Sequence, residues 1–438
     1  MIILGGKMTP IKLRLWDSVS LTSIQTDKFK TGMLSLSLNL PLSKSNNAHN
    51  ALISGVMRRG TEKYKNAAEL NRALDELYAA TVEFKSSRCG KRCVLTLSAE
   101  MLDNAYISDG TDVLDGVSEI LSEMLLHPKT ESGLFTEDAV KKEKTHVIDA
   151  IKAEINNPRA YASDRCSELL HRADDDFSTL EDMLDEVENT TSASLYDYYK
   201  KLLSDSSLSV YYVGSEDIEK VAKIIRRRFG NFAGKGGDTP TLSVEPYTDR
   251  IEKTEKMAVS QGKLCIGFRT GVCASDNEYF ATALLNEIFG GSPASKLFMN
   301  VREKMSLCYY CASRYDSFMG NLTVSAGINV SDKDLAFSAI MEQLEDIKSG
   351  KISDEELNAA KKAVAHSFRQ IYDYPFELVA FYRNKELFGI KATPERYSKR
   401  FAEVSRDEII SAAKKVQLDS VFFLEGTLEG TDQEENDE

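Results

Sequence analysis

The stretch Leu34–Thr61, "LSLSLNLPLSKSNNAHNALISGVMRRGT", changes its hydrophobic period partway along. Its first seven residues alternate leucine with serine or asparagine, which is the two-residue period of a strand with one buried face. The segment that follows has the spacing of apolar residues expected of a helix, and it leads to the pair Gly60-Thr61. The stretch therefore predicts a strand followed directly by a helix.

The same order of elements returns in the second half of the chain. The segment "LCIGFRTGVCASDNEYFATALLNEIFGGS", from Leu264, again passes from strand to helix. The stretch "VLTLSAEM" has a partner in "NLTVSAGI", and "EDAVKKEKTHVIDAIKAEINNP" has one in "DEELNAAKKAVAHSFRQIYDYP". The halves end in the strands "SLSVYYVGS" and "DSVFFLEGT". We therefore predict an α+β protein with two homologous domains, each a largely antiparallel sheet packed against helices.

The composition between and after the repeats suggests the domain limits. An N-terminal domain is predicted in residues 1–235 and a C-terminal domain in residues 251–428. Residues 236–250 are rich in Gly, Pro, Thr and Asp, which is typical of a linker. Residues 429–438 form an acidic tail. Because paired domains commonly enclose a ligand-binding cleft, we expect a clamshell chamber between the two.

Charge and cysteine usage restrict the function classes. The 438 residues carry a net charge of −13, which argues against nucleic acid and anionic membranes as partners. No segment is typical of a signal peptide or a membrane span. Seven scattered cysteines fit a reducing cytoplasm, so we expect a cytoplasmic location. Cys308 and Cys311 have C-x-x-C spacing, but no second pair lies near them, so they are expected to be structural thiols.

The order of segments, the duplication and the phrases around them resemble the insulinase-like metallopeptidases, the family of pitrilysin and mitochondrial processing peptidase. The resemblance covers essentially the whole chain. Active members carry the motif H-x-x-E-H shortly before a Gly-Thr pair. Two histidines at i and i+4 share one helix face and hold Zn²⁺, while the glutamate takes a proton from the metal-bound water. A later helix with E-x-x-x-x-x-x-E supplies the last ligand in that family.

The resemblance implies that the zinc motif is lost. Counting back from Gly60-Thr61, the two histidine positions fall on Ala51 and Gly55, and the catalytic glutamate position falls on Ser54. In "EKTHVIDA", Glu143 holds the supporting position and Ala150 stands where the last ligand would be. We therefore expect this chain to bind no metal and to have no catalytic residue of its own.

Two histidines, His49 and His146, lie near these positions in the sequence. His49 lies two residues before the first ligand position, about 200° around a helix, and so faces elsewhere. His146 has no second histidine near it in the sequence. A displaced metal site is therefore not expected.

The second half carries a different signature, "FGGSPASKLFMNVREKMSLCYYCASRYDS". In the resembled family, this region supplies an arginine and, seven positions later, a tyrosine that reach toward the zinc site. Arg302 and Tyr309 have that spacing. A tyrosine hydroxyl and a guanidinium suit the oxyanion of peptide hydrolysis. The alternative reading is a solvated helix arginine and a core tyrosine, and Tyr310 competes for the tyrosine role.

Substrate in the resembled family adds as a strand beside an edge strand, and the counterpart here is Tyr78–Ser87. Backbone pairing tolerates sequence change, so this edge could persist without catalytic residues. It is equally an edge protected by charge, as Glu83 and Lys85 suggest. Both readings stay open.

The sequence suggests three functions, which it supports to different degrees. The leading one is a non-catalytic subunit that donates Arg302, Tyr309 and half a peptide-binding chamber to a zinc-bearing homologue, in a heterodimer whose partner holds the zinc. The phrases "FTEDAVKKEK" and "NNPRAYASDRCSELL" resemble the bacterial inactive-subunit subgroup. The alternative is a peptide-binding or scaffold protein without a hydrolytic role. A self-contained zinc protease would need ligands that the matched positions lack. In isolation, the chain could form a homodimer.

Overall fold

A computed structural model describes residues 8–236, 239–245 and 249–428 of the chain. These residues contain thirteen strands: β1 (Ile11–Trp16), β2 (Val19–Gln25), β3 (Thr31–Pro41), β4 (Thr81–Cys89), β5 (Arg92–Leu102), β6 (Thr130–Glu131), β7 (Leu134–Phe135), β8 (Leu208–Gly214), β9 (Ile251–Met257), β10 (Gly262–Arg269), β11 (Cys308–Asp316), β12 (Asn321–Ile328) and β13 (Gln417–Gly426).

The same residues contain fourteen α-helices: α1 (Lys44–Val56), α2 (Ala67–Glu76), α3 (Val113–Leu126), α4 (Glu137–Ile155), α5 (Pro158–Leu170), α6 (Leu180–Asn189), α7 (Ser192–Asp205), α8 (Ile218–Phe229), α9 (Tyr279–Asn286), α10 (Lys333–Lys348), α11 (Asp354–Gln370), α12 (Pro375–Leu387), α13 (Pro394–Glu403) and α14 (Arg406–Lys415). Shorter helical segments are Met57–Arg59, Asn104–Tyr106, Glu287–Gly291, Leu297–Lys304, Val330–Asp332 and Ile371–Asp373.

The first compact unit is built on a six-stranded sheet of order β1-β2-β8-β3-β5-β4. It comprises the described residues up to Ala150 together with Leu180–Pro240 and Ile371–Lys391. All neighbouring strands in this sheet are antiparallel except β2 and β8, which are parallel. The separate hairpin β6-β7 completes the strands of the unit.

Strand β3 shows how the sequence pattern builds this unit. Its four leucines, at positions 34, 36, 38 and 40, are buried in the main core with Leu52 and Ile53 of α1. Burying each of these side chains stabilises the fold by about 2 kcal/mol. The other face of the sheet carries α12, whose Leu378 and Val379 pack with Met33 and Tyr211. The sheet is therefore covered by helices on both faces.

The second compact unit repeats this plan on a five-stranded sheet of order β11-β12-β10-β13-β9. It comprises Ile151–Thr179, Thr241–Gln370 and the described residues from Ala392 onward. Its one parallel pair, β13 and β9, corresponds to β8 and β2 of the first unit. Helix α5 covers one face, where Cys166 packs with Cys265 and Phe422. The predicted α+β class, with antiparallel-rich sheets packed against helices, is confirmed.

The units differ from the predicted domains at two segments. Residues 151–179, predicted in the N-terminal domain, belong to the second unit, and residues 371–391, predicted in the C-terminal domain, belong to the first. The physical reason is that each sheet has a second apolar face, which α5 or α12 covers.

The predicted acidic tail, residues 429–438, lies outside the described residues, as do 237–238 and 246–248 of the predicted linker. Within the described residues, no helix is both long and apolar enough to cross a membrane.

Candidate functional site

The predicted motif helix and its exit are present in the structure. Helix α1 begins at the N-cap Ser43, whose Oγ accepts a hydrogen bond from the backbone N–H of Asn46. At its exit, Gly60 has φ = +149°, and a Cβ there would lie 2.9 Å from the carbonyl oxygen of Lys65. The buried Thr61 Oγ1 accepts from the N–H of Tyr64 at 2.8 Å. Gly60 and Thr61 therefore have local structural roles: the backbone leaves no room for a Cβ at residue 60, and the Thr61 hydroxyl stabilises the turn that follows.

Glu143 occupies the space beside Gly55, the second histidine position. A Cβ added to Gly55 would lie 1.9 Å from Glu143 Oε2. This separation is far below any non-bonded contact, so a side chain at 55 and this position of Glu143 exclude each other. The glycine is the reason that the carboxylate can lie against α1.

Arg59 neutralises that carboxylate. Its Nε donates to Glu143 Oε1 at 2.6 Å, and its Nη2 contacts the same oxygen. Glu143 is 8% exposed, so its charge depends on this partner. Sequence reasoning missed Arg59, although its spacing of four residues from Gly55 would have placed it beside the predicted ligand position.

The side chains at the remaining predicted motif positions are not metal ligands of the kind that zinc sites use. Ser54 Oγ donates to the carbonyl oxygen of Ala51 at 2.9 Å, so the hydroxyl forms a hydrogen bond within α1. Ala150 is exposed on α4, two turns after Glu143. One carboxylate already paired with an arginine, two alanines, a serine and a glycine do not fit a zinc ion, which needs imidazole or thiolate ligands or free carboxylates.

The two nearby histidines are engaged elsewhere or exposed. The ring of His49 packs on Tyr198 with centroids 5.1 Å apart, and burial lowers the pKa of His49. His146 is exposed on α4. Within the described residues, one group of three side chains could together hold a metal ion: His171, Asp174 and Glu245 of the second unit, whose ligand atoms lie within 4.8 Å of one another. There, the Arg269 guanidinium lies 3.1 Å from Glu245 Oε2, which disfavours a bound cation.

The first residues of the second signature pack the segment that carries Arg302 against its neighbours. A Cβ at Gly290 would lie 2.6 Å from the backbone nitrogen of Ser313, so this glycine lets the helical segment approach β11. Lys296, 7% exposed, forms an ion pair of 2.8 Å with Glu356 of α11. Leu297 is fully buried. These residues hold the segment that carries Arg302 against the sheet.

Arg302 lies on the helical segment Leu297–Lys304, which ends with a wide turn. The N–H of Met305 donates to the carbonyl oxygen of Asn300 five residues earlier, at 3.0 Å. The Arg302 guanidinium lies 4.6 Å from the centroid of the Phe298 ring, and its side chain is 40% exposed. The arginine is thus accessible and held by a cation–π contact.

A β-bulge separates the two candidate tyrosines. Cys308 pairs with Ile328 and Tyr310 with Gly327, which leaves Tyr309 as the extra residue in β11. Tyr309 is 54% exposed, and its hydroxyl donates to Asn329 Oδ1 at 2.9 Å. Tyr309 is therefore available at the surface.

Tyr310 is covered. Its ring packs over Gly327, where a Cβ would lie 2.6 Å from Tyr310 Cε1, and the Arg159 guanidinium lies 4.1 Å from the ring centroid. The bulge also brings Cys308 and Cys311 onto one face, where both are buried and a hydrogen bond from Cys311 lowers the pKa of Cys308. Of the two tyrosines, only Tyr309 has a large exposed surface.

Strand β4 is an edge strand of the first sheet, at Thr81–Cys89 rather than at the predicted 78–87. Among the described strands it pairs with β5 alone, so the backbone groups of its other side point away from the sheet. Lys85 Nζ lies 2.6 Å from Glu83 Oε1 and 5.5 Å from the centroid of the Phe376 ring. Both readings of this edge, as a peptide-binding strand or as an edge protected by charge, fit these contacts.

The sequence is similar to those of known peptidase homologues. A profile described as "Peptidase M16 inactive domain" matches residues 189–364. The chain is 31% identical over 404 residues to the "Probable inactive metalloprotease YmfF" of Bacillus subtilis (strain 168), covering 92% of this chain and 95% of that protein. It is 27% identical over 259 residues to the "Uncharacterized zinc protease YmxG" of the same organism, covering 57% and 59%.

Solved structures show the same fold. A conserved protein from Enterococcus faecalis V583 matches with a TM-score of 0.88 and 28% identity, covering 96% of this chain and 100% of that chain. A peptidase M16 inactive domain from Pseudomonas fluorescens matches with a TM-score of 0.79 and 15% identity, covering 97% and 99%. The second likeness concerns the fold alone.

Proposed function

This chain belongs to the insulinase-like peptidase M16 family as an inactive homologue of its zinc peptidases, and from that premise we propose that it is the non-catalytic subunit of a heteromeric zinc peptidase. The zinc would be held by a homologous partner chain. This chain would contribute half of a peptide-binding chamber, with no cofactor of its own. In Bacillus subtilis, a relative named as an inactive metalloprotease coexists with a relative named as a zinc protease, which is the combination that this proposal requires.

The contrast between the two motif regions is the observation that carries the proposal. At the zinc positions, the Glu143–Arg59 pair fills the space beside Gly55. In the second unit, Arg302 and Tyr309 keep accessible polar ends. A protein that had lost every role in hydrolysis would have no reason to keep the second set while the first decayed.

The proposed chemistry of this pair is stabilisation of charge. Peptide hydrolysis develops negative charge on the former carbonyl oxygen, and a tyrosine hydroxyl and a guanidinium are suitable donors to it. The peptide itself would pair with the free edge of β4 through its backbone, which requires no particular side chain.

The alternative, a peptide-binding or scaffold protein without a hydrolytic role, has its own support. The Tyr309 hydroxyl donates its hydrogen to Asn329, and Arg302 packs on Phe298. Both groups thus have partners that a purely structural role would also provide. We propose a cytoplasmic location for either function, since all seven cysteines are buried thiols.

The test is to purify this chain and a zinc-bearing homologue from the same genome and to mix them with a quenched fluorescent peptide. The proposal predicts cleavage by the mixture and none by this chain alone. Peptide binding by this chain together with an inactive mixture would favour the alternative.

A further inference from the structure

The face of the first sheet opposite the main core carries several hydroxyl groups. In β3, Ser35, Ser37 and Asn39 alternate with the core leucines and so share the face that α12 covers. The strand register places Ser20 beside Ser209, Ser209 beside Ser37, and Ser37 beside Thr96. A row of small hydroxyl side chains therefore crosses four neighbouring strands.

A cavity of about 700 Å³ opens on this face at the C-terminal end of α12. Its volume lies within the range of about 300–1,000 Å³ that is typical of small-molecule sites. Its lining includes Ser20, Ser37 and Ser209 from the hydroxyl row, and Arg383 and Glu386 from α12. The cavity belongs to the first unit and is distinct from the zinc-motif positions.

The charged side chains of the lining are mostly basic, although the chain as a whole is acidic. They are four cations, Lys12, Arg14, Arg92 and Arg383, and two carboxylates, Asp17 and Glu386. Lys12 Nζ lies 2.9 Å from Glu386 Oε2, and Arg14 Nη2 lies 3.2 Å from Asp17 Oδ1. Two of the four cations are thereby neutralised.

Within the described residues, the hydrogen-bond partners of the other two cations are all neutral. Arg92 donates through Nε and Nη2 to Asn39 Oδ1 at 2.9 and 2.6 Å, and Arg383 Nη1 donates to Thr96 Oγ1 at 2.9 Å. Neither guanidinium forms an ion pair with any carboxylate of the described residues. Both are partly buried, and burial lowers the pKa of each, since desolvation disfavours the charged form. Two half-buried positive charges without a counter-anion are costly unless a ligand supplies one.

We infer that this cavity binds a small molecule through an oxyanion group, either a phosphate or a carboxylate. Arg92 and Arg383 supply positive charge and planar N–H donors, which suit both groups. The serine row supplies neutral donors and acceptors for the rest of the molecule. This site is independent of the proposed peptidase role, because no residue of the zinc-motif region or of the second unit lines it.

Pyrophosphate and citrate are the two probes, each titrated into the whole protein by calorimetry at constant ionic strength. We expect saturable binding of at least one. Arg92→Gln and Arg383→Gln should each weaken it about tenfold, because each loses a charge-assisted hydrogen bond. Arg92→Lys should retain part of the affinity. Arg72→Gln is the control, since it removes one exposed positive charge of the same unit away from the cavity.

The two arms distinguish the sources of the oxyanion. Binding of pyrophosphate alone indicates a phosphate-bearing ligand, and binding of citrate alone indicates a carboxylate-bearing one. The absence of saturable binding in both arms would overturn the inference. So would binding that Arg92→Gln weakens no more than Arg72→Gln does. If Arg383→Gln does not fold, Arg92→Gln carries the test, because it replaces the less buried of the two guanidiniums.

Discussion

The Glu143 carboxylate lies where a side chain on Gly55 would begin, with Oε2 only 1.9 Å from the position of a Cβ on residue 55. The carboxylate predicted to support a zinc ligand therefore fills the space that a side chain at the predicted ligand position 55 would need. Arg59 completes the replacement by pairing with Glu143. At the predicted metal-ligand position, the structure thus has an ion pair between α4 and the short helical segment Met57–Arg59.

Removing Arg59 should destabilise the first unit. Arg59→Ala would leave a buried carboxylate without its partner, at a cost of about 1–3 kcal/mol in the free energy of unfolding. Urea denaturation measures this change. Arg58→Ala is the matched control, because Arg58 is an exposed neighbour. Equal losses for the two variants would show that the ion pair contributes nothing.

Gly55→Ala should destabilise the protein even though alanine is the better helix former by about 1 kcal/mol. The added Cβ collides with Glu143. In a Glu143→Ala background, the same substitution should become neutral or stabilising, and a double-mutant cycle measures the coupling. Independent, additive effects of the two substitutions would contradict the steric account.

Zinc binding should return when the motif is restored. Ala51→His, Ser54→Glu, Gly55→His and Ala150→Glu together recreate the two histidines, the base and the last ligand, provided that Glu143 yields its position beside residue 55. Elemental analysis after stripping and reloading should give one zinc per restored chain. Stoichiometric zinc in the wild-type protein would refute the reading of a lost site, and an unloaded restored chain would refute the assignment of these four positions.

The contribution of Asp164 to the stability of the second unit should fall as the pH rises from about 4 to about 7. Burial, and then the nearby carboxylates of Glu154 and Glu168, raise the pKa of Asp164 to about 7 from an ordinary 3.8. The folded state therefore binds more protons than the unfolded state between these values, so this residue's contribution to stability decreases from about pH 4 to pH 7. Asp164→Asn should thus stabilise the protein more at pH 8 than at pH 5.

Thermal unfolding of wild type and Asp164→Asn at the two pH values checks this sign. Asp175→Asn provides the control, since it removes an exposed carboxylate nearby in the sequence. A stabilisation by Asp164→Asn that does not change with pH would mean that the Asp164 carboxyl is ionised throughout.

The alternation of leucine and polar residues from Leu34 to Leu40 was sufficient to predict β3 and its buried face. The repeat of that pattern was sufficient to predict two similar sheets. The same alternation did not predict which helix packs on the polar face of β3, because a period of two shows which residues share a face but not which element covers that face. For that reason we did not predict that α5 belongs to the second unit and α12 to the first. The cavity beside Arg383 of α12 was not predicted either.

The candidate site was predictable to the extent that it is local in sequence. Counting from Gly60 gave the predicted ligand positions, and the seven-residue spacing gave Arg302 and Tyr309; the roles assigned to these residues stay predictions. The bulge that exposes Tyr309 while Tyr310 packs over Gly327 could not be predicted, since it depends on strand register. The role of Arg59 depends on a contact with Glu143, 84 residues away.

The most direct test of the central claim is the peptidase activity of this chain mixed with a zinc-bearing homologue, measured as kcat/KM on a quenched peptide. We predict activity only in the mixture, with a loss of about tenfold or more for Arg302→Ala or Tyr309→Phe, since one oxyanion donor contributes a factor of about 10²–10³ to the rate. Lys304→Ala, on the same helical segment, and Tyr310→Phe should leave the rate unchanged. A mixture that is no more active than its zinc subunit alone, or one that both substitutions leave at full rate, would contradict the account.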